Sequence, residues 1–431
     1  MVESSLARAF VTVFLAMLVA SVYLLFPHGN TWVVLAALGI LAYITIFYRL
    51  NYISPAIVYA LPWLMIVFFS TIPISEYYRP LGKQTYALIL TSLFAWLLAV
   101  SIGPVSTAPS SQASDDAPLM VSRRMFRWLF VFLLVVLAGE CLASGFIPFV
   151  SLLTTGDSRY FDFGIHSVHG AILAYANAFG ILSFYIFLRQ GDRSFLWFYF
   201  FILCLFIALV SRQNVITLLM EGLAVWCLVR RPISRVAVAV CLAVLLTAFS
   251  IFGELRSGDI LDIIKVTPEY AHLPKAAYWL YAYSYFNVLN LQNMMVNSGA
   301  PFFDGSMFSQ LLPSFLRGDT QQFDYVVYSN MAVTSYMDPV FRDVGFKGVA
   351  LSTFLFGLIT GAALKNAVKH RSFVAIASYS CLYYCAIFSF FVNNWFYLPV
   401  IFQMVFFVIF DRLVLNGGFR QNRKHLAVAA S

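Results

Sequence analysis

Charged side chains are scarce in this sequence: Asp, Glu, Lys and Arg make up 11% of its 431 residues, against roughly 25% in an ordinary soluble domain. That shortage excludes a soluble globular protein, because 27 basic and 19 acidic groups cannot cover the surface of a folded chain of this size. Regular apolar–polar alternation is also missing, which excludes the strands of an outer-membrane barrel. The six cysteines lie in or at the ends of apolar runs, with no paired spacing in an outer loop, so neither a disulfide framework nor a metal framework is expected. No period of 20 to 50 residues repeats, which counts against an inverted-repeat transporter.

What the sequence has is long apolar runs, 61% apolar residues overall, and an aromatic content of 18%. Twelve runs approach the ~20 residues that cross ~30 Å of hydrocarbon as a helix. They are Phe10–Phe26, Thr31–Tyr48, Pro55–Ile74, Thr85–Ile102, Trp128–Ala143, Ala171–Leu188, Phe195–Val210, Asn214–Val229, Val236–Phe252, Gly348–Leu364, Phe373–Phe391 and Trp395–Phe410. The expected fold is therefore all-α: a polytopic membrane protein of about 12 transmembrane helices in a single domain, since a helix satisfies every backbone polar group within its own segment. Residues 1–26 have one Arg beside Glu3 and no clear small-x-small cleavage site, so they are expected to remain as the first span rather than leave as a signal peptide.

The net charge of +8 resolves by side. With both termini placed inside, the inner loops hold seventeen basic residues and the short outer loops four: Arg79, Lys83, Arg159 and Arg212. The positive-inside rule then fixes the orientation, and no nucleic-acid partner is needed to explain the excess. Residues 104–124 form an inner linker of low complexity, and 411–431 form a basic inner tail. Two outer loops are unusual, 145–170 and 253–347. The second contains Ala276–Asn297, aromatic and uncharged, but with five amides and in a position that would reverse the basic tail if it crossed the membrane. It is expected to be a helix at the membrane surface or capping a cavity. Its aromatics, among them Trp279, Tyr281 and Tyr285, are either interfacial anchors or a platform for stacking sugars.

Four arginines fall at the outer membrane boundary: Arg159, Arg212 at the hairpin between the seventh and eighth spans, Arg256 after the ninth, and Arg342 before the tenth. Clustered, their guanidinium forks would suit phosphate; separate, they would be snorkelling side chains. Glu140 and Glu221 lie inside spans, where a carboxyl is costly and usually functional or protonated, and nine residues separate Glu221 from Arg212, on opposite faces of a helix.

The stretch Met337-Asp-Pro-Val-Phe-Arg-Asp-Val-Gly-Phe-Lys-Gly resembles the Asp-x-Gly-x-x-Gly start of a late helix in the Wzy-type O-antigen polymerases, which join oligosaccharide repeat units. Ser211-Arg212, Glu254-Leu-Arg-Ser and the Arg159 to Gly170 spacing are similar to that family as well, and the second Arg-x10-Gly copy seen in some members is absent. The resemblance implies a fold of the O-antigen polymerase-ligase type, similar to the GT-C glycosyltransferases, in a bacterial inner membrane. It implies a glycosyltransferase whose donor and acceptor are undecaprenyl-pyrophosphate-linked glycans, with a chain-length regulator as a further partner. Arg159, Arg212, Arg256 and Arg342 would hold the pyrophosphate, whose departure leaves an oxocarbenium-like sugar. The base for the acceptor hydroxyl would come from His166, His169, Asp157 or Asp343, although Asp343 equally suits an N-cap. No Asp-x-Asp motif lies in an outer loop, so neither a metal nor another cofactor is expected. An O-antigen ligase, transferring glycan to lipid A core, and a lipid-linked oligosaccharide flippase are the alternatives. The concentration of ionic groups at the outer helix ends argues against the flippase.

Overall fold

A computed structural model describes residues 5–25, 31–48, 51–102, 119–157, 159–165, 167–230, 234–297, 299–317 and 334–415. Among these residues the chain is helical, with one isolated β-bridge and no strand. The helices are α1 (Ser5–Leu25), α2 (Thr31–Tyr48), α3 (Pro55–Phe69), α4 (Lys83–Ile102), α5 (Arg123–Ser144), α6 (Pro148–Thr155), α7 (Val168–Gln190) and α8 (Arg193–Ala208). They continue with α9 (Arg212–Val229), α10 (Arg235–Ser257), α11 (Ile260–Ile264), α12 (Lys275–Tyr281), α13 (Asn287–Asn297), α14 (Met337–His370), α15 (Phe373–Ile387) and α16 (Leu398–Phe410). Each of the twelve apolar runs falls on a helix, and six helices are long and apolar enough to cross a membrane. The fold is all-α and compatible with a membrane-embedded chain.

Local chemistry sets the boundaries. Ser122, Asp192, Ser234 and Ser372 each accept a hydrogen bond from a backbone N–H in the first turn of the helix that follows, satisfying a donor the helix cannot. Proline opens α3 and α6, where its missing N–H costs nothing. The central packing runs α4 against α14, α7 against α16, α8 and α9, and α15 against α9 and α14.

Contacts between the connections sort them into two ends. At one, which we term the basic end, Arg123 pairs with Asp192 (2.8 Å), Gln190 Nε2 donates to Leu119 O (2.6 Å) and Ser122 N donates to Val414 O (2.8 Å). At the other, the loop end, Glu76 N donates to Lys265 O (2.9 Å), Thr267 N to Ile74 O (2.9 Å), and Tyr160 bonds Ser211 (3.4 Å). Connections expected to be inner thus meet each other, and so do those expected to be outer.

The segment 275–297 departs from expectation. It is one helical rod, α12 and α13 joined through a π turn at Ala282–Phe286, and it is buried rather than spread on a surface. Its partners are α3, α4, α10 and α14. Tyr285 bridges both backbone groups of Arg79, and Gln292 Oε1 accepts from Gly82 N and Thr85 Oγ1. Gln292, and Asn287 through its donation to Tyr283 O, are thereby satisfied by protein. At the end of α10, Lys275 sits between Glu254 (2.9 Å) and Asp259 (3.2 Å), and those two contacts hold its ammonium above the usual lysine range.

The motif at the start of α14 has a structural cause. Gly345 interrupts the helix with φ 69 and ψ −164, a conformation essentially restricted to glycine. The break presents the carbonyl of Arg342 to Phe302 N (2.9 Å). A Cβ at Gly348 would fall 2.0 Å from Val344, so the turn closes only over glycine.

Candidate functional site at the loop end

Loop 156–167 is pinned to the loop end of α5. Glu140, fully buried near the end of that helix, accepts from Ile165 N (3.3 Å), and its carboxyl faces His169 Nδ1 at 3.0 and 3.1 Å. Ser144 Oγ accepts from Gly164 N (2.9 Å). Gly164, at φ 88, lies flat against the imidazole, where a Cβ would come within 2.7 Å of the ring. Phe163 meets the same ring edge-on (5.5 Å). The imidazole is therefore clamped on several sides, its Nδ1 faces a carboxylate, and its buried Nε2 has no hydrogen-bond partner.

From the same loop, Tyr160 reaches Ser211, which accepts from Asn214 Nδ2 (2.7 Å), and Asn214 Oδ1 accepts from Asn177 on α7 (3.5 Å). Gln213 donates to Asn394 (3.5 Å) in the connection before α16. Arg212 stands between these groups as the first residue of α9, half-buried. The backbone is strained around it: Arg159, Ser167 and Val210 all have positive φ (46, 67 and 55), which is unusual outside glycine and for a β-branched residue costly. The loop 299–317 is seated by Phe308 on Phe396 (4.8 Å) in the same connection as Asn394.

Among the described residues, Arg159 and Arg342 are each engaged by a nearby carboxylate rather than gathered with one another. Arg159 is held within its own loop by Asp162 (3.4 Å) and lies over the Phe146 ring (4.6 Å). Its recess, lined by Leu152, Gly156, Asp157, Tyr160, Phe161 and Asp162, encloses about 230 Å³, below the roughly 300 Å³ at which ligand pockets begin. With two carboxylates to one guanidinium, it is no anion site as it stands. Arg342 pairs with Asp338 one turn back (2.8 Å), because buried charges on a helix take the nearest partner four residues away. The side chain of Arg256 and the whole of His166 lie outside the described residues. Arg212 lies in the chain between Ser211 and Gln213, whose side chains join the polar contacts of the loop end.

Asp343 is a structural anchor. Its two oxygens accept from Ser306 Oγ (2.6 Å) and Met307 N (3.0 Å), so both are occupied by the loop, and it caps the turn at Ser306–Leu311 rather than α14. Beside it, the Ser306 N–H (2.8 Å) holds the Asp304 carboxyl below its usual range, with the Arg342 charge adding to the effect. Asp157 is exposed and its Oδ1 accepts from Arg159 N (3.0 Å), which shapes the loop. Trp279, Tyr281 and Tyr285 are 1%, 0% and 0% exposed, so no ring face is open to a sugar. They pack instead: a Cβ on Gly253 would fall 2.5 Å from the Trp279 indole, and Tyr281 and Tyr285 stack on each other (5.1 Å).

Among the described residues no group of three or more His, Cys, Asp or Glu side chains is placed to hold a metal ion. Compared with family models, curated proteins and solved structures, the chain matches none.

Proposed function

We propose that this chain is a glycosyltransferase of the bacterial inner membrane that polymerises undecaprenyl-pyrophosphate-linked repeat units. In this reading it has about 12 spans, both termini are cytoplasmic, and the loop end faces the periplasm. The observation that carries it is the clamped His169–Glu140 pair, an imidazole in the first turn of α7 oriented by a buried carboxyl of α5, next to the loop whose Tyr160 reaches Ser211, the chain neighbour of Arg212. That is the arrangement of an oriented general base at the end of the bundle where α9 begins with Arg212.

In the reaction, His169 Nε2 takes the proton of the acceptor hydroxyl as that oxygen bonds the anomeric carbon of the donor glycan. The carbon–oxygen bond to the pyrophosphate breaks, and undecaprenyl pyrophosphate leaves with the electron pair. Glu140 keeps the Nδ1 proton in place and stabilises the imidazolium that forms. Arg212 meets the charge growing on the leaving group, where a guanidinium fork is most effective. Pyrophosphate leaves readily, so the chain's own residues suffice.

The resemblance in the Ser211-Arg212 and Asp343-Val-Gly-Phe-Lys-Gly stretches supports the same reading. The test is full-length protein in lipid vesicles, supplied with synthetic undecaprenyl-pyrophosphate repeat units and with lipid A core. The reading expects a ladder of glycans on the polyprenyl lipid, with no requirement for ATP or an ion gradient. Sugar appearing on lipid A core alone would identify a ligase, and transfer in neither direction would sink the assignment.

A further inference from the structure

A second carboxyl lies deep in the bundle, away from the glycosyl-transfer site. Glu221 is fully buried on α9, about 13 Å along the helix from Arg212 at ~1.5 Å per residue. Its Oε2 accepts from Gln403 Nε2 on α16 (2.6 Å), while its Oε1 is buried without a hydrogen-bond partner. No ion pair joins it to a basic side chain among the described residues. Its ionisable neighbours are Tyr199 on α8, whose hydroxyl donates to Leu218 O (3.1 Å), and Cys381 on α15. One amide donor and the weakly donating Cys381 thiol do not offset the hydration an ionised carboxylate gives up at such a place.

From Gln403 a line of polar groups leads to the loop end. Gln403 Oε1 accepts from the Cys381 thiol (3.8 Å), and Cys381 is in hydrogen-bond contact with Cys385 one turn further. Cys385 donates to Asn394 O (3.7 Å), and Asn394 Oδ1 accepts from Gln213, the neighbour of Arg212. Toward the basic end the surroundings turn apolar: Ala224, Val225, Phe407 and Phe410 are each fully buried.

We propose that Glu221 is a proton-binding site reached from the loop end along this line. In the loaded state Oε1 carries the proton and Oε2 accepts from Gln403. Unloading gives that proton to water admitted from the loop end past these polar groups, because the Gln403 amide donates to the carboxyl and cannot take its proton. The carboxylate left behind is solvated only as α9, α15 and α16 part, so occupancy is coupled to how those three helices pack. This site is independent of the glycosyl-transfer reading and stands or falls separately from it.

Infrared spectroscopy of the full-length protein in lipid at neutral pH tests it. The carbonyl stretch of an un-ionised carboxylic acid is expected in the difference between wild type and Glu221→Gln, and Gln403→Leu, which removes the donor to Oε2, should move it to higher frequency. On transfer to D2O the band should shift as the proton exchanges, at least tenfold more slowly in Cys385→Ala. If no such band responds to either Glu221→Gln or Gln403→Leu, the carboxyl is ionised and the proposal is overturned. Equal exchange in wild type and Cys385→Ala overturns the route. The Gln403→Leu shift identifies the band even if Glu221→Gln fails to fold.

Discussion

His169 meets Glu140 because α5 and α7 pack side by side and the intervening loop folds back over their ends. The two residues are 29 apart in sequence, so their types flag them separately while the pairing is visible only in three dimensions. The arginine pairings were more legible. Arg159 with Asp162 and Asp338 with Arg342 follow i, i+3 and i, i+4 spacings that the sequence displays. Weighing those spacings would have singled out Arg212, which has no acidic residue three or four positions away. Arg212→Lys retains the charge and loses the fork, and polymerisation is expected to fall on the order of 10²-fold while the protein still inserts; an unchanged rate in vesicles would remove Arg212 from the site. Asp304 gives a pH dependence. Its carboxyl is held below its unfolded value of about 4, so its contribution to the loop is present above that value and lost as the pH falls through the folded one. Proteolysis of loop 299–317 should therefore rise below about pH 4, and the Asp304→Asn variant should show a smaller rise.

At the scale of elements, the apolar runs located the helices because continuous hydrophobicity over 16 to 20 residues leaves the backbone little alternative in lipid. The segment 275–297 was legible as a helix, but its burial was not. Its amides suggest an aqueous surface, whereas Gln292 and Asn287 find backbone partners inside the fold. The same burial removes the sugar platform and makes Trp279 a packing residue against α10. The Asp343 to Gly348 stretch was legible as a motif, and the structure supplies its mechanics: an anchor for loop 299–317, a glycine break, and a close turn. Gly345→Ala places a Cβ in a conformation alanine rarely adopts and 2.9 Å from Pro301. It is expected to cost about 1–3 kcal/mol, read as a lowered melting temperature in lipid with secondary structure retained. Wild-type stability would show that the break is incidental.

Across the whole molecule the charge bias and the contacts agree in sorting the connections, since loops at one end carry most of the bases and touch one another. What the sequence could not convey is which polar groups of separate loops converge, because that depends on how α5, α7, α9 and α16 are arranged around one another. The proposed orientation makes a direct prediction for intact cells in a cysteine-free background. Phe303→Cys, at the loop end and exposed, should react with a membrane-impermeant thiol reagent added outside once the outer membrane is permeabilised, and Ser194→Cys, exposed at the basic end, should not. The reverse pattern would place the proposed site in the cytoplasm, where no flipped repeat unit could reach it. The central claim, that this end of the bundle performs glycosyl transfer with His169 as base, is tested most directly by turnover on synthetic undecaprenyl-pyrophosphate repeat units. Wild-type protein is expected to build a glycan ladder, and His169→Gln to lose about 10²- to 10⁴-fold in rate with the same insertion and fold. A ladder of equal length and rate from His169→Gln would contradict the account.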